Sequence, residues 1–197
     1  SQSQPISVIL DTIPPTLTLN CSDYLYISPN GDGKQDSVLI SADSDAESIR
    51  IAVKNNLSLT LVSGDTNELS VGASASLGEG TYDFTVTAFD TVGNAAVKNG
   101  KLSVDKTLPQ ADLQADPITQ SMAGSLKLSG FAEDKNLAGY KLEYSKKDTS
   151  VWSEIMRGIL PVTNKQFADF DTRILSDGTY NFRLKVTDKA GNEKTAS

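Results

Sequence analysis

The chain lacks histidine altogether and contains a single cysteine, and both absences narrow its chemistry. Without imidazole there is no Ser-His-Asp or Cys-His nucleophile system and no histidine general base, and the usual zinc ligand sets are missing as well. One cysteine cannot form a disulfide within the chain. We therefore interpret Cys21 as a small buried hydrophobe and not as a redox centre.

The sequence also lacks a surplus of positive charge and any long apolar run. It has 18 Lys and Arg against 25 Asp and Glu, a formal net charge of −7. Nucleic acid is therefore an unfavourable partner, because phosphate neutralisation needs a basic surface. No run approaches the roughly 20 apolar residues that a membrane helix requires, so no membrane insertion is expected. With 197 residues, of which 38% are hydrophobic, the chain can form one or two domains with their own cores.

One motif occurs twice at a constant offset of 98 residues, first as Gly80–Asn94 and again as Gly178–Asn192. Both copies begin Gly-Thr-Tyr-x-Phe and end Asp-x-x-Gly-Asn. A shorter echo relates Ser7-Val8 and Asp11 to Ser103-Val104-Asp105. A period near one hundred residues corresponds to a whole small domain. The sequence thus predicts domains at 13–106 and 107–197, with 1–12 left from a preceding copy and both ends cut from a longer protein.

Within each copy, apolar residues alternate with polar ones. The alternation is clearest in Tyr82-Phe84-Val86-Ala88 and in Tyr180-Phe182-Leu184-Val186. Short alternating runs between Gly, Asn, Asp and Ser clusters predict half-buried antiparallel strands. Six or seven such strands in about ninety residues predict an all-β fold of two tandem immunoglobulin-like β-sandwiches. Tyr82 and Tyr180 fit either a tyrosine corner or an ordinary core position.

The end of each motif copy has the composition of a tight turn. The residues are Asp90, Gly93 and Asn94 in the first copy, and Asp188, Gly191 and Asn192 in the second. Gly and Asn tolerate positive φ, and an Asp side chain can accept backbone N–H groups that follow it. We interpret both as structural turns, each joining the last two strands of its sandwich.

Two stretches resemble known families. The second copy runs from Leu128-Ser-Gly-Phe-Ala-Glu-Asp134 to Thr187-Asp-Lys-Ala-Gly-Asn192, and it resembles the bacterial immunoglobulin-like or fibronectin-III-like repeats of large exported proteins. The first copy carries Ile27-Ser-Pro-Asn-Gly-Asp-Gly33. This run is similar to the opening of Ig-like domains related to the flagellar hook-capping protein and to gliding-motility C-terminal modules. The resemblance implies a spacer, sorting or adhesive module outside the cytoplasm, without catalysis of its own.

One loop carries the ligand types of a calcium site. Asn30, Asp32 and Asp36 offer side-chain oxygens at alternating positions, with Gly33 at a sharp turn. Ser28 is a poor first ligand, and Leu39 stands where a closing bidentate Glu would be required. The alternative is a Gly-rich turn between the first two strands, shaped by its Asp and Asn side chains. The sequence leaves both interpretations open.

Several functions fit these patterns. The first is a non-catalytic extracytoplasmic spacer or adhesive scaffold within a larger bacterial surface or secreted protein. The alternatives are an adhesin module that binds protein or glycan, and an accessory domain of a secreted hydrolase. For the binding module, the candidate surfaces are the loop 30–36 and the stretch Ser63–Ser76, since sandwiches bind through their loops. The expected partner is a protein or cell-surface component.

The second copy is short of residues for its last strand. After Asn192 only Glu193–Ser197 follow, whereas the first copy has Ala95–Val104 in the corresponding place. An incomplete last strand leaves a sheet edge exposed. The sequence therefore predicts either an open edge or a weak strand-exchange dimer, in which a strand such as Ile6–Leu10 comes from a neighbouring molecule.

Overall fold

The computed structural model describes residues 8–116 and 123–197 of the chain. They form two compact units. Unit 1 contains the residues up to Asp32 together with Asp36–Val104, and unit 2 contains Gly33–Gln35 and Asp105–Ser197. Of the predicted segment 1–12, residues 1–7 lie outside the described part of the chain.

Unit 1 is a sandwich of two sheets. Its strands are β1 Leu17–Leu19, β2 Tyr24–Ile27, β3 Ser37–Ser44, β4 Ser48–Lys54, β5 Thr60–Gly64, β6 Glu68–Gly72, β7 Gly80–Phe89 and β8 Ala95–Val104. One sheet has the order β1-β3-β6 and the other the order β2-β8-β7-β4-β5. The pairs are antiparallel except for β2 and β8, which run parallel.

Unit 2 has the same two-layer architecture. Its strands are β9 Gln110–Asp116, β10 Ser125–Glu133, β11 Leu137–Lys146, β12 Ser153–Gly158, β13 Val162–Asp171, β14 Tyr180–Asp188 and β15 Glu193–Ala196. The sheets have the orders β13-β10-β9 and β12-β11-β14-β15, and all of these pairs are antiparallel. The fold class predicted from the sequence, all-β with tandem Ig-like sandwiches, is confirmed.

The two-residue alternation places one face of each strand in the core. In β7, Phe84, Val86 and Ala88 are fully buried, and Leu184 and Val186 are equally buried in β14. Each unit closes its own core between its two sheets. Burying each such side chain contributes about 1.5–3 kcal/mol, so the alternating strands supply most of the favourable free energy of folding.

The described residues contain only two short helical turns, Ala73–Ala75 and Thr172–Ile174. Among them, no helix has the length and apolar character needed to cross a membrane. Cys21 is a free cysteine, half-buried, that packs against the core of unit 1.

The structure corrects the expectation that the stretch Ser63–Ser76, named above as a candidate binding surface, is a loop. Strand β6 lies inside this stretch, pairs with β3 and buries Val71 completely. The reason is that Leu69 and Val71 alternate with polar neighbours and complete the apolar face that Val38 and Ile40 begin. Between residues 8 and 104, unit 1 therefore has eight strands, where six or seven were expected. The loop 30–36 connects β2 to β3 and not the first two strands.

Candidate functional site

The most highly organised polar site lies at the turn between β14 and β15. The Asp188 carboxylate accepts the backbone N–H of Ala190 at 2.8 Å and that of Asn192 at 2.9 Å through Oδ1. Its Oδ2 accepts the Asn192 side-chain amide at 2.7 Å. Gly191 has a φ of +85°, which an L side chain adopts only with strain. The sequence Asp-x-x-Gly-Asn thus folds as one hydrogen-bonded turn.

The turn between β7 and β8 repeats this arrangement. Asp90 Oδ1 accepts the backbone N–H of Val92 at 3.0 Å and of Asn94 at 2.8 Å, and Asp90 Oδ2 accepts the Asn94 side-chain amide at 2.8 Å. Gly93 has a φ of +94°. All six residues that the sequence singles out as turn residues therefore lie in two equivalent turns.

Each turn also holds the segment that leads into its unit. The Asn192 amide donates a second hydrogen bond, 2.9 Å long, to the backbone carbonyl of Asp105. In unit 1 the Asn94 amide donates to the carbonyl of Asp11 at 3.2 Å. The entering segment is fixed in both units by a side chain 83 or 87 residues away along the chain. We call these two hydrogen-bonded turns the entry clamps.

The entry clamp of unit 2 belongs to a larger acidic cluster. Asp105, Asp134 and Asp188 each place one carboxylate oxygen within 4.8 Å of the others. Asp105 and Asp188 are buried, with 6% and 2% of their surface exposed, and Asp134 is half-buried. Among the described residues, this is the only such grouping of three acidic side chains.

Amide donors from asparagine stabilise the cluster. The Asn136 side chain donates to Asp105 Oδ2, and the Asn136 backbone N–H donates to Asp134 Oδ1, both at 2.5 Å. Asp105 Oδ1 also accepts the backbone N–H of Thr107 at 3.1 Å. These bonds compensate part of the cost of bringing three carboxylates together away from water. Carboxylate oxygens are the ligands that calcium prefers, so these three side chains could hold a divalent cation.

The two entry clamps differ in electrostatics. Burial raises the pKa of Asp188, and the neighbouring Asp105 and Asp134 raise it further, which outweighs the hydrogen bonds from Asn192. At Asp90 burial also acts upward, but the hydrogen bonds from Asn94, Val92 and Gly93 outweigh it, and the pKa is lowered. The same turn therefore holds carboxylates with opposite pKa shifts.

Asp134 also has a perturbed pKa. Burial is the main cause that raises it, and the charge of Asp105 adds to the effect, whereas the hydrogen bond from Asn136 acts in the opposite direction. The corresponding residue of unit 1 is Asp45, which also directly follows a strand. It is exposed and accepts the backbone N–H of Thr16 at 2.7 Å. Unit 1 thus has the same clamp hydrogen bonds as unit 2, but its Asp45 carboxylate is exposed to solvent.

The loop 30–36 brings its three candidate calcium ligands into one turn. Asn30 Oδ1 accepts the Asp32 backbone N–H at 2.9 Å, and Asp36 Oδ1 accepts the N–H of Gly31 at 2.6 Å. The Asn30 amide also donates to Asp32 Oδ2 at 3.3 Å. Gly31 has a φ of +84°. These bonds shape a turn, and calcium binding by Asn30, Asp32 and Asp36 stays a prediction.

The single tryptophan lies under a charged side chain. The Arg183 guanidinium stacks 3.8 Å above the ring of Trp152 and donates through Nε to Glu143 Oε2 at 2.7 Å. One face of the indole is therefore covered by an ion-paired arginine. This contact attaches the residue before β12 to β14, because a cation over an indole ring is an attractive contact.

The acidic cluster was not predicted from the sequence. Its members come from three separate places, the residue after β8, the residue after β10 and the end of β14. A signal was present, since Asp105 belongs to the Ser-Val-Asp echo and Asp188 to the repeated turn. Only the sandwich topology shows that they meet.

Comparisons with known proteins agree with the fold. No protein-family model and no curated protein sequence matches the chain. The fibronectin(III)-like modules of CbhA from Clostridium thermocellum have a similar structure, with a TM-score of 0.53 and 10% identity, over 92% of both chains. The FN1–FN3 domains of chicken CNTN1 give a TM-score of 0.50 at 10% identity, over 94% of this chain and 62% of theirs.

A bacterial ice-binding adhesin of 1.5 MDa is also similar, with a TM-score of 0.42 and 17% identity. The match covers 94% of this chain and 63% of the adhesin chain, so this chain spans less than two thirds of it. At such identities the comparisons establish the fold alone. The chain folds as tandem sandwiches of the fibronectin-III-like and immunoglobulin-like kind.

Proposed function

We propose that the chain is a non-catalytic spacer or adhesive scaffold of a larger extracytoplasmic bacterial protein. The observation that carries this proposal is the entry clamp, present in both units. In each, an asparagine fixes the backbone of the entering segment to the turn between the last two strands. A module that transmits tension needs its entry point fastened to its own core, and a hydrogen-bonded amide supplies that fastening.

The chemistry of the acidic side chains supports a structural role. The carboxylates of Asp105 and Asp188 accept amide hydrogen bonds on both oxygens, so both oxygens stabilise the folded structure. The resemblance of the first copy to hook-capping and gliding-motility modules, carried by Ser28-Pro-Asn-Gly-Asp-Gly33, agrees with a place outside the cytoplasm. The adhesin among the similar structures points in the same direction.

Single-molecule pulling tests the mechanical role. Stretching the two-unit chain from its ends gives one unfolding event for each unit. We expect Asn192→Ala to lower the unfolding force of unit 2 and Asn94→Ala that of unit 1. Asn99→Ala, on an exposed position of β8, is the matched control and leaves both forces unchanged. Unchanged forces in both clamp variants would contradict a mechanical role of the entry clamps.

A binding assay separates the spacer from the adhesin module. The intact chain is screened against glycan arrays and against envelope and host surface proteins. A passive spacer shows no saturable binding. Saturable binding that is lost on substituting residues of the loop 30–36 would assign the chain to the ligand-binding class, with a protein or glycan partner.

We also propose calcium as the ion of the loop formed by Asn30, Asp32 and Asp36. A calcium titration followed by the melting temperature tests this. We expect a stabilisation of unit 1 that Asp32→Asn removes. Asp134→Asn is run beside it, because stabilisation lost in that variant alone would assign the ion to the acidic cluster of unit 2. No shift at millimolar calcium would remove the loop site.

A further inference from the structure

The outer face of the sheet β12-β11-β14-β15 carries a row of three cations. Lys141 of β11 lies directly opposite Arg157 of β12 on one side and Lys185 of β14 on the other. Side chains at directly opposite positions of neighbouring strands lie on the same face of the sheet, and like charges placed there are destabilising. We call these three residues the cation row.

Carboxylates neutralise two of the three cations. Arg157 Nε donates to Glu154 Oε1 at 2.7 Å, and Lys185 Nζ lies 2.8 Å from Glu193 Oε1. Lys141 is exposed and forms no ion pair or hydrogen bond with any side chain in the described ranges. The cation row therefore has one more positive charge than it has paired carboxylates, and that charge lies at its centre.

A cavity of about 280 Å³ lies beside the cation row. The three cations border it, and so do Tyr140, Thr187, Glu193 and the glycines Gly139 and Gly158. A cavity at the lower end of the size range of ligand sites fits one small group, such as a single sugar ring. Glycine inside a strand is typical of places where another group approaches the backbone closely.

Tyr140 brings an unpaired hydroxyl to this cavity. Its side chain is buried, with 8% of the residue surface exposed, and no protein group in the described parts of the chain forms a hydrogen bond with the hydroxyl. Gly158 lies opposite Tyr140, and a Cβ at this position would overlap the hydroxyl. No fully buried polar side-chain atom of the described residues lacks a partner, so the hydroxyl reaches the cavity. A ligand in the cavity would supply the missing hydrogen bond.

We propose that this cavity binds a sugar ring that bears one carboxylate, as in the uronic acid units of an acidic polysaccharide. The carboxylate pairs with Lys141, the cation without a partner, and relieves the repulsion within the cation row. The hydroxyls of Tyr140 and Thr187 and the carboxylate of Glu193 supply donors and acceptors for the ring hydroxyls. Glu193 would repel a second carboxylate, so an acidic peptide with consecutive carboxylates fits less well.

This inference rests on the adhesive form of the proposed function and names its ligand class. The two fail in different experiments. Single-molecule pulling tests the mechanical role without any ligand, and the screen against glycans and surface proteins tests ligands of every class. A negative result with acidic sugars alone would therefore overturn the inference and leave the proposed function standing.

Titration with defined acidic sugars tests the cavity. The probes are trisaccharides of galacturonic acid and of glucuronic acid, and their methyl esters, which have the same rings without the charge, are the matched control ligands. One sugar in a cavity of this size should bind the intact chain weakly, with a Kd of about 0.1–1 mM. The backbone amide signals of residues 139–141, 157–159 and 185–187 should shift in a saturable manner in NMR spectra. Equal shifts with the esters, or none with either acid, would overturn the proposal.

Variants assign the binding to the cavity. Lys141→Gln removes the unpaired charge at an exposed position and should weaken binding at least about tenfold, the loss expected for a charge-assisted hydrogen bond. Tyr140→Phe should weaken binding about two- to tenfold without lowering the melting temperature, because the hydroxyl has no protein partner in the described chain to lose. Lys127→Gln, at an exposed position of β10 in the facing sheet, is the matched control and leaves the Kd unchanged. Full affinity in Lys141→Gln, or tighter binding of a hexaglutamate peptide than of either sugar acid, would refute the assignment.

Discussion

Removing one negative charge from the acidic cluster should stabilise unit 2. Asp134→Asn keeps an oxygen that can accept the backbone N–H of Asn136, which the carboxylate accepts at 2.5 Å. It removes the repulsion between Asp134 and the carboxylates of Asp105 and Asp188, whose oxygens lie within 4.8 Å. The substitution therefore changes the charge and preserves the geometry.

The magnitude follows from Coulomb's law. Two unit charges 4.8 Å apart repel by about 1 kcal/mol in bulk water and by about 3.5 kcal/mol at the effective dielectric constant of about 20 that is typical near a protein surface. For a domain of this size, 1 kcal/mol corresponds to about 4–8 °C in melting temperature. We expect the melting temperature of unit 2 to rise by at least about 4 °C at neutral pH. The measurement is made in EDTA, because a bound divalent cation would cancel the repulsion.

Tryptophan fluorescence isolates the relevant unit. Trp152 is the only tryptophan of the chain and belongs to unit 2, where it stacks against Arg183. Its thermal transition therefore reports the unfolding of unit 2 alone. Asp169→Asn, on an exposed position of β13, removes the same charge outside the cluster and should change the free energy of unfolding by less than about 0.5 kcal/mol.

The pH dependence gives the result that would refute the reasoning. The folded-state pKa of Asp134 is raised, chiefly by burial. Its destabilising effect is therefore absent below the unfolded pKa of about 3.9 and complete once the pH has risen through the folded pKa. The advantage of Asp134→Asn should vanish near pH 3. Equal stabilisation at both pH values, or destabilisation at neutral pH, would show that charge repulsion is not the cause.

Four further substitutions test two glycine positions and two tyrosine hydrogen bonds. Gly130→Ala would place a Cβ 2.1 Å from the carbonyl oxygen of Asp112, so calorimetry should show a free energy of unfolding that is lower by at least about 2 kcal/mol. Gly80 has an equivalent φ but no atom within 4 Å of the added Cβ, so Gly80→Ala should lower the free energy of unfolding by less. Tyr82→Phe and Tyr180→Phe should each lower the free energy of unfolding, measured with denaturant, by about 0.5–1.5 kcal/mol. The reason is that each hydroxyl donates to a backbone carbonyl four residues earlier. An unchanged free energy would mean that water replaces the hydrogen bond in the variant.

Those tyrosine hydroxyls also show what the sequence could determine. Alternation placed Tyr82 and Tyr180 on the core side of strands that the structure confirms, and the position of each within the motif favoured a corner as much as a core site. The structure decides for the corner, with Oη to carbonyl distances of 2.9 and 3.0 Å. Local periodicity thus predicted the strands, and only the path of the preceding loop determined the hydrogen bond.

Long-range pairing was the part that periodicity could not supply. Strand β6 is five residues long and lies in a polar stretch, so Leu69 and Val71 carry too little signal without their partner β3. The parallel pairing of β2 with β8 likewise cannot be predicted from the sequence of either strand alone. The acidic cluster has the same origin, because Asp105 and Asp188 come together only when the segment between β8 and β9 is fixed to the turn between β14 and β15.

The two entry clamps show why a repeated motif does not repeat its chemistry. Both turns have the same hydrogen bonds, yet the pKa of Asp90 is lowered and that of Asp188 is raised, mainly through burial beside two further carboxylates. Asp90 therefore contributes stability that is lost as the pH falls, whereas the cost of burying Asp188 is relieved on acidification. The motif determines the turn geometry, and the neighbouring strand ends determine how the turn responds to protons and cations. Acidification therefore acts with opposite signs on the two entry clamps.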